Sequence, residues 1–107
     1  MKILLCKVGC EPEAVEIENT LKAQQDTVDG LIEVVWLTDG VFLVVNEEGK
    51  INGKCVPNRK IDYKGFCDTL YGNFFITAVD DGGANISMSD DQIQEYTEFL
   101  TKYTHMV

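Results

Sequence analysis

The only arginine of this chain, Arg59, follows Pro57 and Asn58 in a sequence that carries 18 acidic residues. A guanidinium group binds phosphate or carboxylate through parallel N–H donors in one plane, a geometry that lysine does not reproduce. Asn58 adds an amide that can read a base or a sugar hydroxyl, and Lys54 and Lys60 make this the one locally basic segment. These residues predict a site for a small anionic ligand, such as a nucleotide signal.

Two further interpretations concern the same region. Arg59 can instead pair with a structural carboxylate while Asn58 makes a turn hydrogen bond, because surface arginines usually have such partners. Tyr71, which precedes Gly72, is a candidate fifth member of the site, since an exposed ring there would stack on a ligand.

Acidic residues dominate the charge of the chain, which has a formal net charge of -9 and an isoelectric point near 4.4. Such a surface repels phosphate backbones, so direct binding to nucleic acid is disfavoured. The acids cluster on two predicted helices, at Glu11, Glu13, Glu16 and Glu18 and at Asp90, Asp91, Glu95 and Glu98. These clusters are typical of solvated helix faces. The alternative function is an acidic interaction module, or a mimic of nucleic acid, that inhibits a host protein.

Motifs for catalysis or metal binding are sparse. The single histidine is His105, and neither a Gly-x-Ser-x-Gly motif nor a phosphate-binding Gly-x-x-x-x-Gly-Lys motif occurs. The four cysteines form no Cys-x-x-Cys pair and are expected to be free thiols, with Cys6 in the core. The acidic segment 80–85 lacks the ligand spacing of a calcium loop and indicates a hairpin turn. The sequence favours a binding protein without cofactor or metal over an enzyme.

Hydrophobic periodicity predicts a first strand over residues 2–8 and a helix from Pro12 to just before Gly30. Residues 31–37 and 41–46 form a predicted hairpin in which Trp36 is the large apolar anchor. Residues 52–64 lack periodicity and are expected to be a long, irregular loop.

The second half of the chain adds a predicted strand over residues 73–80 and a helix ending near Tyr103. Ser89 and Gln92 have the spacing of a capping box at the start of this helix. The order of elements predicts an α+β fold in one domain, residues 1–107, with two helices packed on one face of a mixed, mostly antiparallel sheet of about five strands.

Several segments together resemble a family known only as domain of unknown function 3846. The resemblance covers residues 2–103 and rests on Glu16-Ile17-Glu18-Asn19-Thr20-Leu21, Ile32-Glu33-Val34-Val35, Asn46-Glu47-Glu48-Gly49-Lys50, Pro57-Asn58-Arg59, Gly72-Asn73-Phe74-Phe75-Ile76 and Asp90-Asp91-Gln92-Ile93. It implies an accessory protein of phages, plasmids and other mobile elements, and it assigns no chemistry.

The expected setting is the cytoplasm of a bacterial host, because the chain shows no secretory signal and no apolar run of membrane-spanning length. A mobile-element protein of this kind would counter host defence by sequestering a signal or by inhibiting a host protein. The open sheet edges of such a fold also predict a homo-oligomer, with a dimer as the simplest case.

Overall fold

The computed structural model describes residues 1–38, 40–49, 56–63 and 65–106. In chain order, the elements are β1 (Lys2–Cys6), β2 (Glu13–Glu16), α1 (Leu21–Val28), β3 (Ile32–Thr38), β4 (Val41–Asn46), β5 (Pro57–Tyr63), β6 (Phe66–Tyr71), β7 (Phe74–Val79), β8 (Asn85–Ile86), α2 (Asp90–Tyr103) and β9 (Thr104–Met106). Two helices and strands in antiparallel pairs confirm the α+β class.

Sheet 1 has six strands, one more than expected. Its order is β2-β1-β7-β4-β3, and β8 adds to β7. The apolar strand β7 is central, since it pairs with β1, β4 and β8. All six residues of β7 are buried, as a strand covered on both faces requires. Strands β2 and β3 lie at the two opposite edges.

Sheet 2 has three strands in the order β6-β5-β9, and its presence corrects the expectation of a long loop. The expected irregular segment contains β5, which pairs with β6 and β9. Lys60 and Asp62 are exposed, whereas Ile61 is buried and Tyr63 is half-buried, a period of two that indicates a strand. Residues 52–55 and 64 of the expected loop lie outside the described residues.

The two helices pack on opposite faces of sheet 1, not on one face. Alternate residues of β1 belong to different hydrophobic clusters. Leu4 and Cys6 pack in the α2 cluster, which contains Tyr96 and Leu100 of α2. Ile3 and Leu5 pack in the α1 cluster, which contains Val28 of α1. The α2 cluster also contains Ile61 of β5 and Leu70 of β6. Sheet 2 therefore covers the same face of sheet 1 as α2.

The first predicted helix begins much later than expected. The first part of the predicted helix instead contains β2, which pairs with β1. Val15 of β2 packs against the cluster that contains Val28 of α1. Thr20 caps α1 by accepting a hydrogen bond from the Ala23 N–H at 3.1 Å, so the helix begins only at Leu21. The chain takes the strand conformation because Val15 and Ile17 alternate onto one face.

Helix α2 is confirmed, including its capping box. The Ser89 hydroxyl accepts from the Gln92 N–H, and the Gln92 side chain accepts from the Ser89 N–H. The prediction of Trp36 as a core anchor, by contrast, is wrong, because the residue is 68% exposed and its ring lies edge-on to that of Phe42. Neither helix in the described residues is long and apolar enough to cross a membrane.

Candidate binding cleft

Arg59 lies inside the protein on β5, not on a solvent-exposed loop, and only 5% of it is exposed. Its Nε donates to the Cys6 Sγ at 2.9 Å, and its two terminal nitrogens donate to the Thr104 hydroxyl and the Cys10 carbonyl. No carboxylate in the described part of the chain forms an ion pair with it. The guanidinium thus joins β5 to β1, to β9 and to the loop after β1.

Asn58 is also internal, at 2% exposure. Its Nδ2 donates to the Cys6 carbonyl at 3.0 Å and to the Gly72 carbonyl at 2.8 Å. Its Oδ1 is buried without a hydrogen-bond partner among the described residues. The amide therefore ties sheet 2 to the edge of β1 and to the turn before β7.

Of the other predicted site residues, the two that the structure describes, Lys60 and Tyr71, do not share a recess with Arg59. Lys60 is exposed on β5, between Thr69 of β6 and His105 of β9. Lys54 lies outside the described residues, and Tyr71 lines a separate cleft. An anion at Arg59 would have to compete with the Thr104 and Cys10 contacts. The anion site stays a prediction.

The turn after β4 connects three parts of the fold through Asn46. Its Nδ2 donates to the carbonyls of Val28 and Asp29 at the end of α1, and its Oδ1 accepts from the Glu48 N–H. Asp29 adopts the left-handed conformation at φ 61°, which closes the helix. The side chain of Asn46 thus holds the C-terminus of α1 against β4.

Gly49 brings the same turn against sheet 2. A Cβ atom at Gly49 would lie 3.2 Å from both the Tyr71 Cβ and the Tyr71 carbonyl oxygen. These distances are shorter than most contacts of a Cβ atom. The absence of a side chain at Gly49 therefore allows the turn after β4 to pack closely against Tyr71 of sheet 2.

A recess opens between the two sheets beside this junction. Its volume is about 480 Å³. The edge strand β3 and the end of β4 form one wall, and the edge strand β6 forms the other. The lining residues are Glu33, Val34, Val35, Trp36, Val45, Asn46, Glu47, Gly49, Asp68, Thr69, Leu70 and Tyr71. We call this recess the edge cleft.

Negative charge and apolar surface combine in the edge cleft. Glu33 and Glu47 are exposed and Asp68 is half-buried, whereas the described lining contains no lysine, arginine or histidine. Val45 and Leu70 supply its apolar floor. The electrostatics favour a cationic group over a phosphate.

A second recess, of about 450 Å³, adjoins the edge cleft at Asn46. Asp26, Asp29 and Glu48 line it, so acidic surface continues around the end of β4. No group of three or more His, Cys, Asp or Glu side chains in the described residues is arranged to hold a metal ion. The carboxylates are spread over a surface rather than focused on one point.

Sequence reasoning placed Tyr71 at a ligand site but missed Glu33, Glu47 and Asp68. A partial signal exists in β3, where Glu33 is the only charged residue of the strand. The cleft itself has no local signal, because its walls come from two sheets whose contact depends on distant side chains.

A family model described as Domain of unknown function (DUF3846) matches residues 1–101 of the chain. Neither a curated protein nor a solved structure shows significant similarity to it.

Proposed function

We propose a binding function for this chain, which belongs to the family Domain of unknown function (DUF3846). The chain acts as an acidic interaction module, and the edge cleft receives a basic surface of a partner protein. The observation that carries the proposal is the described lining of the cleft, which presents the exposed carboxylates of Glu33 and Glu47 and contains no basic side chain among the described residues.

The charge of the whole chain supports the same kind of partner. A net charge of -9 steers a cationic protein toward the surface and repels nucleic acid at long range. In a mobile element, a host protein whose basic surface contacts nucleic acid would fit this charge, and inhibition would follow from occupation of that surface. An anionic ligand in the edge cleft would meet the opposite field.

The experiment compares two variants with the same change in net charge. Glu33→Gln/Glu47→Gln neutralises the cleft, and Glu13→Gln/Glu18→Gln neutralises two exposed acids, with Glu13 on the opposite edge of sheet 1. Basic proteins from a bacterial lysate are captured on each immobilised variant and on the native chain at low and at high salt, and their affinities are then measured individually.

We expect the cleft variant to bind a captured basic protein roughly three- to tenfold more weakly than the native chain and the control variant do. High salt should weaken binding for all three proteins. Equal affinity of the two double variants would contradict the assignment of the cleft, and the absence of any basic protein at low salt would contradict the function.

A further inference from the structure

The two edges of sheet 1 are protected to different degrees. At one edge, β2 has only four residues, of which two are glutamates, and such short, charged strands discourage pairing. At the other edge, β3 has seven residues and one charge. Val34 is 43% exposed and Trp36 is 68% exposed, so β3 leaves an apolar edge open in the described part of the fold.

The register of β3 tells which side chains face the cleft. Glu33 lies opposite Val45, and Val35 lies opposite Leu43; both partners belong to the α2 cluster. Cross-strand neighbours share a face of the sheet, so Glu33 and Val35 face sheet 2. By the same alternation, Val34 and Trp36 face the α1 side.

A bulge between Trp36 and Thr38 disturbs the end of β3. The preceding residues, 32–36, keep regular pairing with β4. Bulges disrupt further pairing, so the usable edge is this regular stretch. Among the described residues, β4 alone pairs with β3.

From these observations we infer that the partner binds by strand addition: an extended segment with alternating basic and apolar residues pairs its backbone with β3. Its basic side chains lie in the edge cleft beside Glu33 and Glu47, and its apolar side chains cover Val34 and Trp36. The inference rests on the proposed function and adds the shape and residue pattern of the partner.

Charge argues against a second copy of this chain as the occupant. Two chains of net charge -9 repel each other, and β3 paired with itself would add a second Glu33 to a cleft already lined by Glu47 and Asp68. Like charges brought together at a sheet edge are destabilising. A cationic strand relieves this repulsion.

The test uses a capped peptide of alternating Lys and Val, about ten residues long, which exceeds the length of β3 at about 3.3 Å per residue. Two analogues carry N-methyl groups on the Lys amides or on the Val amides, which removes those hydrogen-bond donors without changing the charge. Alternate residues of a strand bond to a given neighbour. One analogue should therefore bind more than tenfold more weakly, and the other should bind nearly as well as the parent.

Binding is followed by the fluorescence of Trp36, the only tryptophan in the chain, and by amide hydrogen exchange. We expect a blue shift and new protection within residues 32–36. Glu33→Gln/Glu47→Gln should weaken binding, whereas Glu13→Gln/Glu18→Gln should not.

Four outcomes would overturn the inference. If the parent peptide fails to bind, strand addition is wrong, and the lysate capture decides the proposed function separately. If the parent peptide binds both double variants equally, the assignment of the cleft fails with the inference. If binding needs Glu33 and Glu47 but both methylated analogues bind like the parent, only strand addition is wrong. If sedimentation shows a dimer and the fluorescence of Trp36 is already blue-shifted without peptide, the edge of β3 binds a second copy of the chain.

Discussion

The Nε of Arg59 lies 2.9 Å from the Sγ of Cys6, and both residues are buried. The only guanidinium of the chain thus meets a thiol of β1, a hydroxyl of β9 and a carbonyl of the loop after β1. A buried cation is costly unless such acceptors surround it. These contacts give Arg59 a structural role, because they connect sheet 2 to β1 of sheet 1.

Arg59→Ala should therefore lower the free energy of unfolding by about 2 to 4 kcal/mol, because it leaves buried acceptors unsatisfied. Lys60→Ala on the exposed side of the same strand is the matched control and should change it by at most about 0.5 kcal/mol. Urea denaturation measures both. An Arg59→Ala protein as stable as the native chain would show that these contacts do not hold the sheets together.

Replacing Asn46 tests the connection between α1 and β4. Asn46→Ala loses two donated hydrogen bonds and one accepted bond, and should cost about 2 to 3 kcal/mol. Asn46→Asp keeps the oxygen that accepts from the Glu48 N–H. Its second carboxylate oxygen, however, lies where the amide nitrogen donated to the carbonyl oxygens of Val28 and Asp29.

The repulsion in Asn46→Asp should raise the pKa of the new carboxyl group in the folded state. A raised carboxyl pKa favours the protonated folded form, so stability falls as pH rises above the ordinary aspartate pKa of about 3.9. Urea denaturation across acidic pH should show a deficit relative to the native chain that is smallest below this value. A pH-independent deficit would contradict the repulsion.

The cysteines should differ sharply in reactivity. Burial raises the pKa of the Cys6 thiol, and the hydrogen bond from Arg59 opposes the shift only in part. Cys10 and Cys67 are exposed. Iodoacetamide followed by peptide mass spectrometry should label Cys10 and Cys67 in the native protein and Cys6 only after unfolding. Labelling of Cys6 at the rate of Cys10 would show that the sheet junction opens readily.

Tyr96 should contribute to a loss of stability in alkali. Its hydroxyl lies 2.9 Å from the Thr38 hydroxyl, and burial raises its pKa above the ordinary value of 10.0. The unfolded state then deprotonates first, so stability is intact below pH 10.0 and falls as pH rises through the interval up to the raised pKa.

Tyr96→Phe removes the titrating hydroxyl and one hydrogen bond. It should cost about 1 kcal/mol at neutral pH and flatten the alkaline decline in urea midpoints. If the decline is as steep in the variant as in the native chain, Tyr96 does not cause it.

The sequence predicts the elements whose signals are local. The capping box at Ser89 and the apolar stripe of α2 give that helix correctly, and the apolar run of β7 gives the central strand. The turn after β7 is also local, since the Asp80 side chain accepts from the backbone of Gly82 and Ala84.

Elements that depend on contacts with residues distant in sequence were not predicted. Asn58 and Arg59 are polar and suggest a surface loop, yet both are buried because Cys6, Gly72 and Thr104 supply their hydrogen bonds. Because Asn58 and Arg59 are consecutive and both buried, they interrupt the alternation of exposed and buried side chains that β5 follows from Lys60 onward. The edge cleft was missed for the same reason, since its two walls meet only through such long-range contacts.

The central position of β7 also governs the order in which the fold can form. Leu4 of β1 pairs with Ile76 of β7, although most of the chain separates them. During synthesis the apolar β1 must wait for β7 before it gains this neighbour, and topologies with such distant pairing fold slowly. Apolar residues of β1 such as Ile3 and Leu5 are therefore expected to stay exposed until late in synthesis, when exposed apolar surface favours aggregation.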